Sequence, residues 1–244
     1  MHTHYNAVLV CLAYAVSVLG SFTALQLALG IPLARSPRQR AMAVLAAGTA
    51  MGGGAIWTMH FIAMLACEMG EQVSYDLWLT AISALLAIVA CSLGLAMVSV
   101  PRMRFVHLAG ASLLMGTGVA GMHYLGMLAM LTSAHMQYDL RMVALSVMVA
   151  VIASMVALWL AFNLRGWLQM LGSSLVMGMA VCGMHFVGMG ALTLMPSDSL
   201  PAGFEQGLRG GHLGLVLFAV VMLMLTLALG VSILRQQRRA AVSI

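Results

Sequence analysis

The chain has 244 residues, 63% of them hydrophobic and 7% charged, with a net charge of +5 and no lysine. That balance excludes an ordinary soluble domain, because a chain this apolar is at home in a bilayer, where the backbone must satisfy itself internally. The positive charge does not point to nucleic acid, since the arginines are confined to short breaks between apolar runs.

Seven apolar runs are long enough to span a membrane: Tyr5–Leu29, Ala41–Leu65, Leu77–Val100, Phe105–Leu131, Leu140–Phe162, Leu168–Met195 and His212–Leu234. No basic segment precedes the first, so it is read as a retained helix and not as a cleaved signal. Arg35, Arg38 and Arg40 follow the first run, Arg102 and Arg104 the third, Arg165 the fifth, and Arg235, Arg238 and Arg239 the seventh. The other loops hold every acidic residue (Glu68, Glu71, Asp76, Asp139, Asp198 and Glu205) but only Arg141 and Arg209. Nine arginines against two predict an outer N-terminus and a cytoplasmic C-terminus. The fold expected is therefore all-α and polytopic, a single membrane domain over 1–244 with no output domain. The long outer loop from Pro196 to Gly211 is expected to be irregular, given its Pro and Gly content. The four cysteines, Cys11, Cys67, Cys91 and Cys182, contain no CxxC pair and predict no disulfide framework.

Within these runs one heptapeptide recurs. Thr58-Met59-His60-Phe61-Ile62-Ala63-Met64 is matched by Gly121-Met122-His123-Tyr124-Leu125-Gly126-Met127 and by Gly183-Met184-His185-Phe186-Val187-Gly188-Met189. The histidines stand 63 and 62 residues apart, so the copies mark an internal repeat. Tyr5-Asn6, Tyr75-Asp76 and Tyr138-Asp139 open the odd-numbered helices, at the level of interfacial aromatic anchors. Sixteen residues after each Tyr comes a small residue, Ser21, Cys91 or Ser154. The unit is a helix pair, over about 4–67, 74–131 and 137–195, followed by a seventh helix at about 212–234. Each pair enters from the same side, so the repeats are parallel and suit a pseudo-threefold axis along the membrane normal.

Position +4 shares a helical face with its histidine, which pairs His60 with Met64, His123 with Met127 and His185 with Met189. Small residues share that face too: Gly53, Gly116 and Gly178 at −7, and Ala63, Gly126 and Gly188 at +3. They let helices approach closely, so the histidines should point at other helices and can converge. At about 1.5 Å per residue they lie about 27 Å up the even helices, near the outer boundary and within reach of external solvent. Three costly intramembrane imidazoles at equivalent positions call for a shared partner. Imidazole suits copper, zinc or iron, and thioether selects Cu(I), which favours copper. Met59, Met122 and Met184 recur as well but point about 100° away and rank second as ligands. Cys67 and Cys182 do not recur and read as packing; His2 and His4 read as a terminus, His107 as interfacial, and His135 and His212 as outer-side residues. Other readings remain for the same residues: haem held by paired histidines, copper transport or handling, and plain helix-to-helix hydrogen bonding. No nucleophile–base pair, phosphate loop or carboxylate dyad supports an enzyme.

Three Met-His-aromatic motifs on seven membrane helices, with Tyr-Asp or Tyr-Asn opening each odd helix, resemble the MHYT domain, a bacterial integral-membrane sensor module. The resemblance implies a multi-pass protein of the bacterial inner membrane that binds copper through His60, His123, His185 and neighbouring methionines. It also implies sensing of a diatomic gas (oxygen, carbon monoxide or nitric oxide) or of redox state. In that family the module is often fused to cytoplasmic cyclic di-GMP, kinase or DNA-binding outputs, so signalling here is expected to pass to a cytoplasmic partner or fused output. The sequence departs from the family name at Phe61 and Phe186 in the third motif place and at Ile62, Leu125 and Val187 in the fourth, so neither Tyr nor Thr is expected to be an essential ligand.

Overall fold

A computed structural model describes residues 4–68, 73–100, 104–163, 166–196, 201–210 and 212–221, with 223, 224, 226 and 230 beyond. His2, Glu71, Arg102, Arg165, Asp198, Arg235, Arg238 and Arg239 lie outside the described residues, as does most of the predicted seventh helix past Val221. Six described helices are long and apolar enough to cross a membrane: α1 (Ala7–Ala28), α2 (Pro37–Ala66), α3 (Leu77–Val98), α4 (Phe105–Leu128), α5 (Leu140–Asn163) and α6 (Trp167–Gly190). A shorter apolar helix, α7 (His212–Val221), follows. The protein is thus a helical multi-pass membrane protein. Its outward faces carry Trp78, Leu85, Leu113, Ile152 and Met179, each at least half exposed, as lipid-facing residues should be.

The helices form a closed ring in chain order, with α6 returning to pack on α1. Short strands cap one end. β1 (His4–Tyr5) pairs with β2 (Cys67–Glu68), β3 (Ser74–Tyr75) with β4 (Met130–Leu131), and β5 (Ala134–Tyr138) with β6 (Leu192–Pro196), all antiparallel. The register is the same in every repeat: Tyr5 faces Cys67, Tyr75 faces Met130 and Tyr138 faces Leu192, each partner seven residues past its histidine. The next amide closes each unit by donating to the helix above: Asn6 N–H to Ala66 O (2.9 Å), Asp76 to Ala129 (2.8 Å) and Asp139 to Ala191 (2.9 Å). The Asn6, Asp76 and Asp139 side chains then accept from first-turn amides of α1, α3 and α5, which is why these polar residues start the odd helices.

This pairing corrects two predicted helix ends. The run taken to Leu131 stops at Leu128, and the run taken to Met195 stops at Gly190, because the residues beyond are drawn into strands by the Tyr segments. In the loop expected to be irregular, Phe204–Gln206 is a single helical turn and β7 (Leu208–Arg209) joins the edge of β3. The tyrosines are not free anchors either. Tyr75 is buried and Tyr5 and Tyr138 are half-buried, and each meets the motif aromatic of the preceding repeat: Phe61 on Tyr75 (5.6 Å between centroids), Tyr124 on Tyr138 (5.8 Å) and Phe186 on Tyr5 (5.5 Å). That cyclic order, first to second to third to first, is the pseudo-threefold relation.

The repeats differ in the winding of the even helix. In α2, Ala50–Trp57 is wound as a π-helix, whereas α4 and α6 are α-helical throughout. A π-turn takes up an extra residue, and the consequence is a shifted register. Gly116 presses against the Val151 backbone and Gly178 against Val18, chiefly its side chain, on the next repeat's odd helix; in α2 the equivalent residue, pressed against the Ala87 and Ile88 backbone, is Gly52. The expected Gly53 instead makes only ordinary contact with the Ile88 side chain. Thr58 covers the bulge by donating its hydroxyl to Gly53 O (2.8 Å).

Candidate metal centre

Each motif lies in the last two turns of an even helix, at the strand-capped end. There the three imidazoles meet: their ligand atoms all lie within 4.8 Å of one another. His60 Nδ1 is 3.0 Å from His185 Nδ1 and 3.2 Å from His123 Nδ1. The rings stand edge to face, with centroids 5.0–5.1 Å apart. Sequence reasoning placed them within reach of external solvent, and the structure corrects this: His60 is 1% exposed and His123 and His185 are 0% exposed. The strands and aromatics above them form the cover.

Two observations show what the cluster can hold. First, a ring nitrogen carries either one proton or one in-plane lone pair, so His60 Nδ1 can satisfy one close neighbour well but not two. A cation shared by the three nitrogens resolves that conflict. Second, the two spacings from His60 suit one: nitrogens at about 2.0–2.1 Å from an ion lie about 3.3–3.6 Å apart in tetrahedral or trigonal geometry, close to the 3.0 and 3.2 Å found to His185 and His123, and all three ligand atoms lie within 4.8 Å. The buried three-histidine group can therefore hold a metal ion.

The far ring nitrogens are buried too, and Nε2 of all three histidines has no hydrogen-bond partner among the described residues. For two of them the site explains the motif's glycines. A Cβ on Gly126 would overlap His60 Nε2, and one on Gly188 would overlap His123 Nε2. Each ring lies flush against the next repeat's backbone, and Ala63 holds the equivalent place in α2. Each histidine also packs edge-on to its following aromatic, at 4.8 Å for Phe61 and Tyr124 and 5.1 Å for Phe186. Imidazole, motif aromatic and neighbouring tyrosine thus run in three continuous chains from the cluster to the strands.

The methionines of the motif are all buried: Met64, Met127 and Met189 at +4, and Met59, Met122 and Met184 at −1. The other described histidines stand apart from the cluster. His4 lies 4.0 Å from Glu68, His107 Nδ1 accepts from Arg104 N–H (3.3 Å) at the start of α4, His135 is in β5 and His212 opens α7. Cys67 is buried beside Tyr5 and Cys182 is half-buried, and both are free.

One feature escaped sequence reasoning. A cavity of about 30 Å³ lies beneath the cluster. Its walls include Ile56, Val119 and Val181, each four residues before a motif histidine, and Met51, Met115 and Met177, one turn lower. The first set has a fixed spacing that was legible. The second does not, because the π-turn puts Met51 nine residues before its histidine and the other two eight before theirs.

A membrane domain of parallel helix pairs around a buried histidine triad defines the class, and the comparisons agree. Residues 53–111 and 116–173 match the MHYT repeat, described as a bacterial signalling protein N-terminal repeat. The chain belongs to the MHYT family. The third motif lies outside the matched segments yet shares the geometry of the other two. The chain is 38% identical over 98% of its length to the bifunctional diguanylate cyclase/cyclic di-GMP phosphodiesterase MucR of Pseudomonas aeruginosa, covering 35% of that protein. It is 35% identical over 82% of its length to the cyclic di-GMP phosphodiesterase NbdA of the same organism, covering 25% of it, and 28% identical over 94% to signaling protein YkoW of Bacillus subtilis, covering 29%. The chain thus spans about a third or less of the curated relatives it matches. No solved structure matches it.

Proposed function

We propose that this domain is the sensing part of a signalling system, binding one copper ion through His60, His123 and His185 and responding to a diatomic gas or to redox state. The observation that carries this reading is the convergence of three buried imidazoles, with His60 Nδ1 3.0 and 3.2 Å from its two partners and all ligand atoms within 4.8 Å. Neutral imidazoles without a carboxylate suit copper over calcium, manganese or non-haem iron. Met64, Met127 and Met189 are the proposed thioether donors, each buried one turn beyond its histidine; Met59, Met122 and Met184 come second. When bound, copper supplies a redox couple and affinity for small π-acceptor gases. The residues of the chain hold the ion, exclude water and pass ring displacements to the strands through the motif aromatics.

Haem is a poorer fit, since rings 5.0–5.1 Å apart leave no slot for a macrocycle between them. The arginine distribution supports the strand-capped end as the outer one, with the C-terminus in the cytoplasm of a bacterial inner membrane. By the names of the relatives, the output is cyclic di-GMP turnover in a fused or partner domain, and the membrane domain itself is not an enzyme. Metal analysis of the purified chain tests the site. The reading expects copper in the parent and its loss in His60→Ala, His123→Ala and His185→Ala; unchanged copper in all three would sink it.

A further inference from the structure

Under the histidines lies the cavity of about 30 Å³. Residues from equivalent positions of all three repeats line it, Ile56, Val119 and Val181 above and Met51, Met115 and Met177 below, and it is displaced from the centre toward α5, which adds Ala150, Ala153, Ser154 and Ala157. Four residues of helix separate the upper set from the histidines, about 6 Å along the axis. Two serine hydroxyls, of Ser21 and Ser154, interrupt an otherwise apolar wall, and Ser21 Oγ has no hydrogen-bond partner among the described residues.

Size and lining together select the guest. A water occupies about 10–15 Å³ on this measure and needs two to four polar partners, whereas dry apolar cavities take up xenon and similar guests. A space of about 30 Å³ is too small for an acyl chain and suits a diatomic molecule or one xenon atom.

On one side of the cavity the lining residues are themselves part-exposed. Ala153 on α5 and Val181 on α6 line it and are half-buried, while Met51, Ile56, Met115, Val119, Ala150 and Met177 are buried. The position of Ala153, fifteen residues after its Tyr, is closed in the other repeats: Gly20 presses on the Ala55 backbone and Ala90 is 4% exposed. Next to these two residues in sequence, Ile152 and Met179 face outward, 55% and 63% exposed. Apolar gases concentrate in hydrocarbon for the same reason that apolar surface leaves water.

We propose that this chamber is a binding site for a single small apolar gas molecule, entered sideways from the bilayer between α5 and α6. Its purpose, holding the gas beside the histidine cluster, rests on the gas-sensing reading above; its occupancy does not. The test uses xenon on the full chain in lipid nanodiscs and in pressurised crystals, both metal-free and copper-loaded. One xenon between Met51, Met115 and Met177 in both forms upholds the chamber, even if copper binding itself fails. No xenon, xenon only in lipid-facing grooves, or an ordered water on Ser21 in its place overturns it. Ala153→Phe then tests the entrance by xenon exchange NMR. Exchange slowed by roughly tenfold or more, a barrier increment of ordinary size for one blocked path, upholds the lateral route, and an unchanged rate overturns it. Ala153→Ser serves as the second variant: it keeps the opening and should exchange at the parent rate if the fold is intact, and a rate slowed as in Ala153→Phe would count against the lateral route.

Discussion

Replacing Gly52 with alanine should destabilise the protein, and replacing Gly53 should not. A Cβ on Gly52 would lie 2.6 Å from the Ala87 carbonyl carbon and 2.7 Å from Ile88 N, nearer still to the Ala87 oxygen. Backbone cannot yield as a side chain does, so α2 and α3 must part. Forced overpacking of this kind costs about 1–3 kcal/mol, set against about 1 kcal/mol gained when alanine replaces glycine in a helix. The net is a loss of up to about 2 kcal/mol for Gly52→Ala. At Gly53 the new methyl meets only Ile88 Cδ1 at 3.4 Å and Cγ1 at 3.5 Å, ordinary contact, so the propensity gain stands and stability is unchanged or rises by up to about 1 kcal/mol. SDS titration of protein in mixed micelles, followed by far-UV circular dichroism, measures both. Should Gly53→Ala prove the costly change, the π-turn and the register built on it are wrong.

Three further outcomes follow from the same geometry. Gly126→Val should drive a side chain into the His60 ring and weaken metal binding about 10–100-fold, the usual penalty for disturbing the support of a ligand, while Gly183→Val, beside open space, should leave it unchanged; equal affinities by competitive chelator titration would contradict this. Tyr124→Phe removes a 2.6 Å hydrogen bond to Ser146 between α4 and α5 and should cost about 0.5–1.5 kcal/mol in the same SDS assay, since Ser146 keeps its bond to Val143 O; no loss would mean the bond is not formed. The Tyr75 phenol is pushed above its usual range by burial, with Cys67 adding to the effect. Its contribution to stability is therefore complete below the ordinary tyrosine range and is lost as pH rises through the elevated folded value. Phenolate absorbance of the parent minus Tyr75→Phe should show no ionisation near the ordinary value of 10.0, and a normal titration there would refute the burial.

Much of the scaffold could be read from pattern alone. Long apolar runs, three heptapeptide copies and a Tyr-Asn or Tyr-Asp start define the helix pairs, and the shared small-residue face points the histidines inward. The strands could not be read, because two to five residues such as Cys67–Glu68 have no periodicity of their own; their pairing is set by helix ends already fixed in space. The same strands bury the triad that helix depth alone placed near solvent. The π-turn was hidden because Gly52, Gly53 and Gly54 are adjacent, so spacing could not tell which of them packs. The same extra residue conceals the equivalence of Met51 with Met115 and Met177. The roles of the six motif methionines rest on chemistry and not on pattern, since 24 methionines make any one of them unremarkable in sequence.

The most direct test of the copper centre is X-ray absorption at the copper edge on the purified, copper-loaded chain in lipid. The account predicts three nitrogen scatterers at about 2.0 Å with the outer-shell pattern of imidazole, diminished in the His123→Ala protein. A first shell made of sulfur alone, or a spectrum that His123→Ala leaves unaltered, would contradict it.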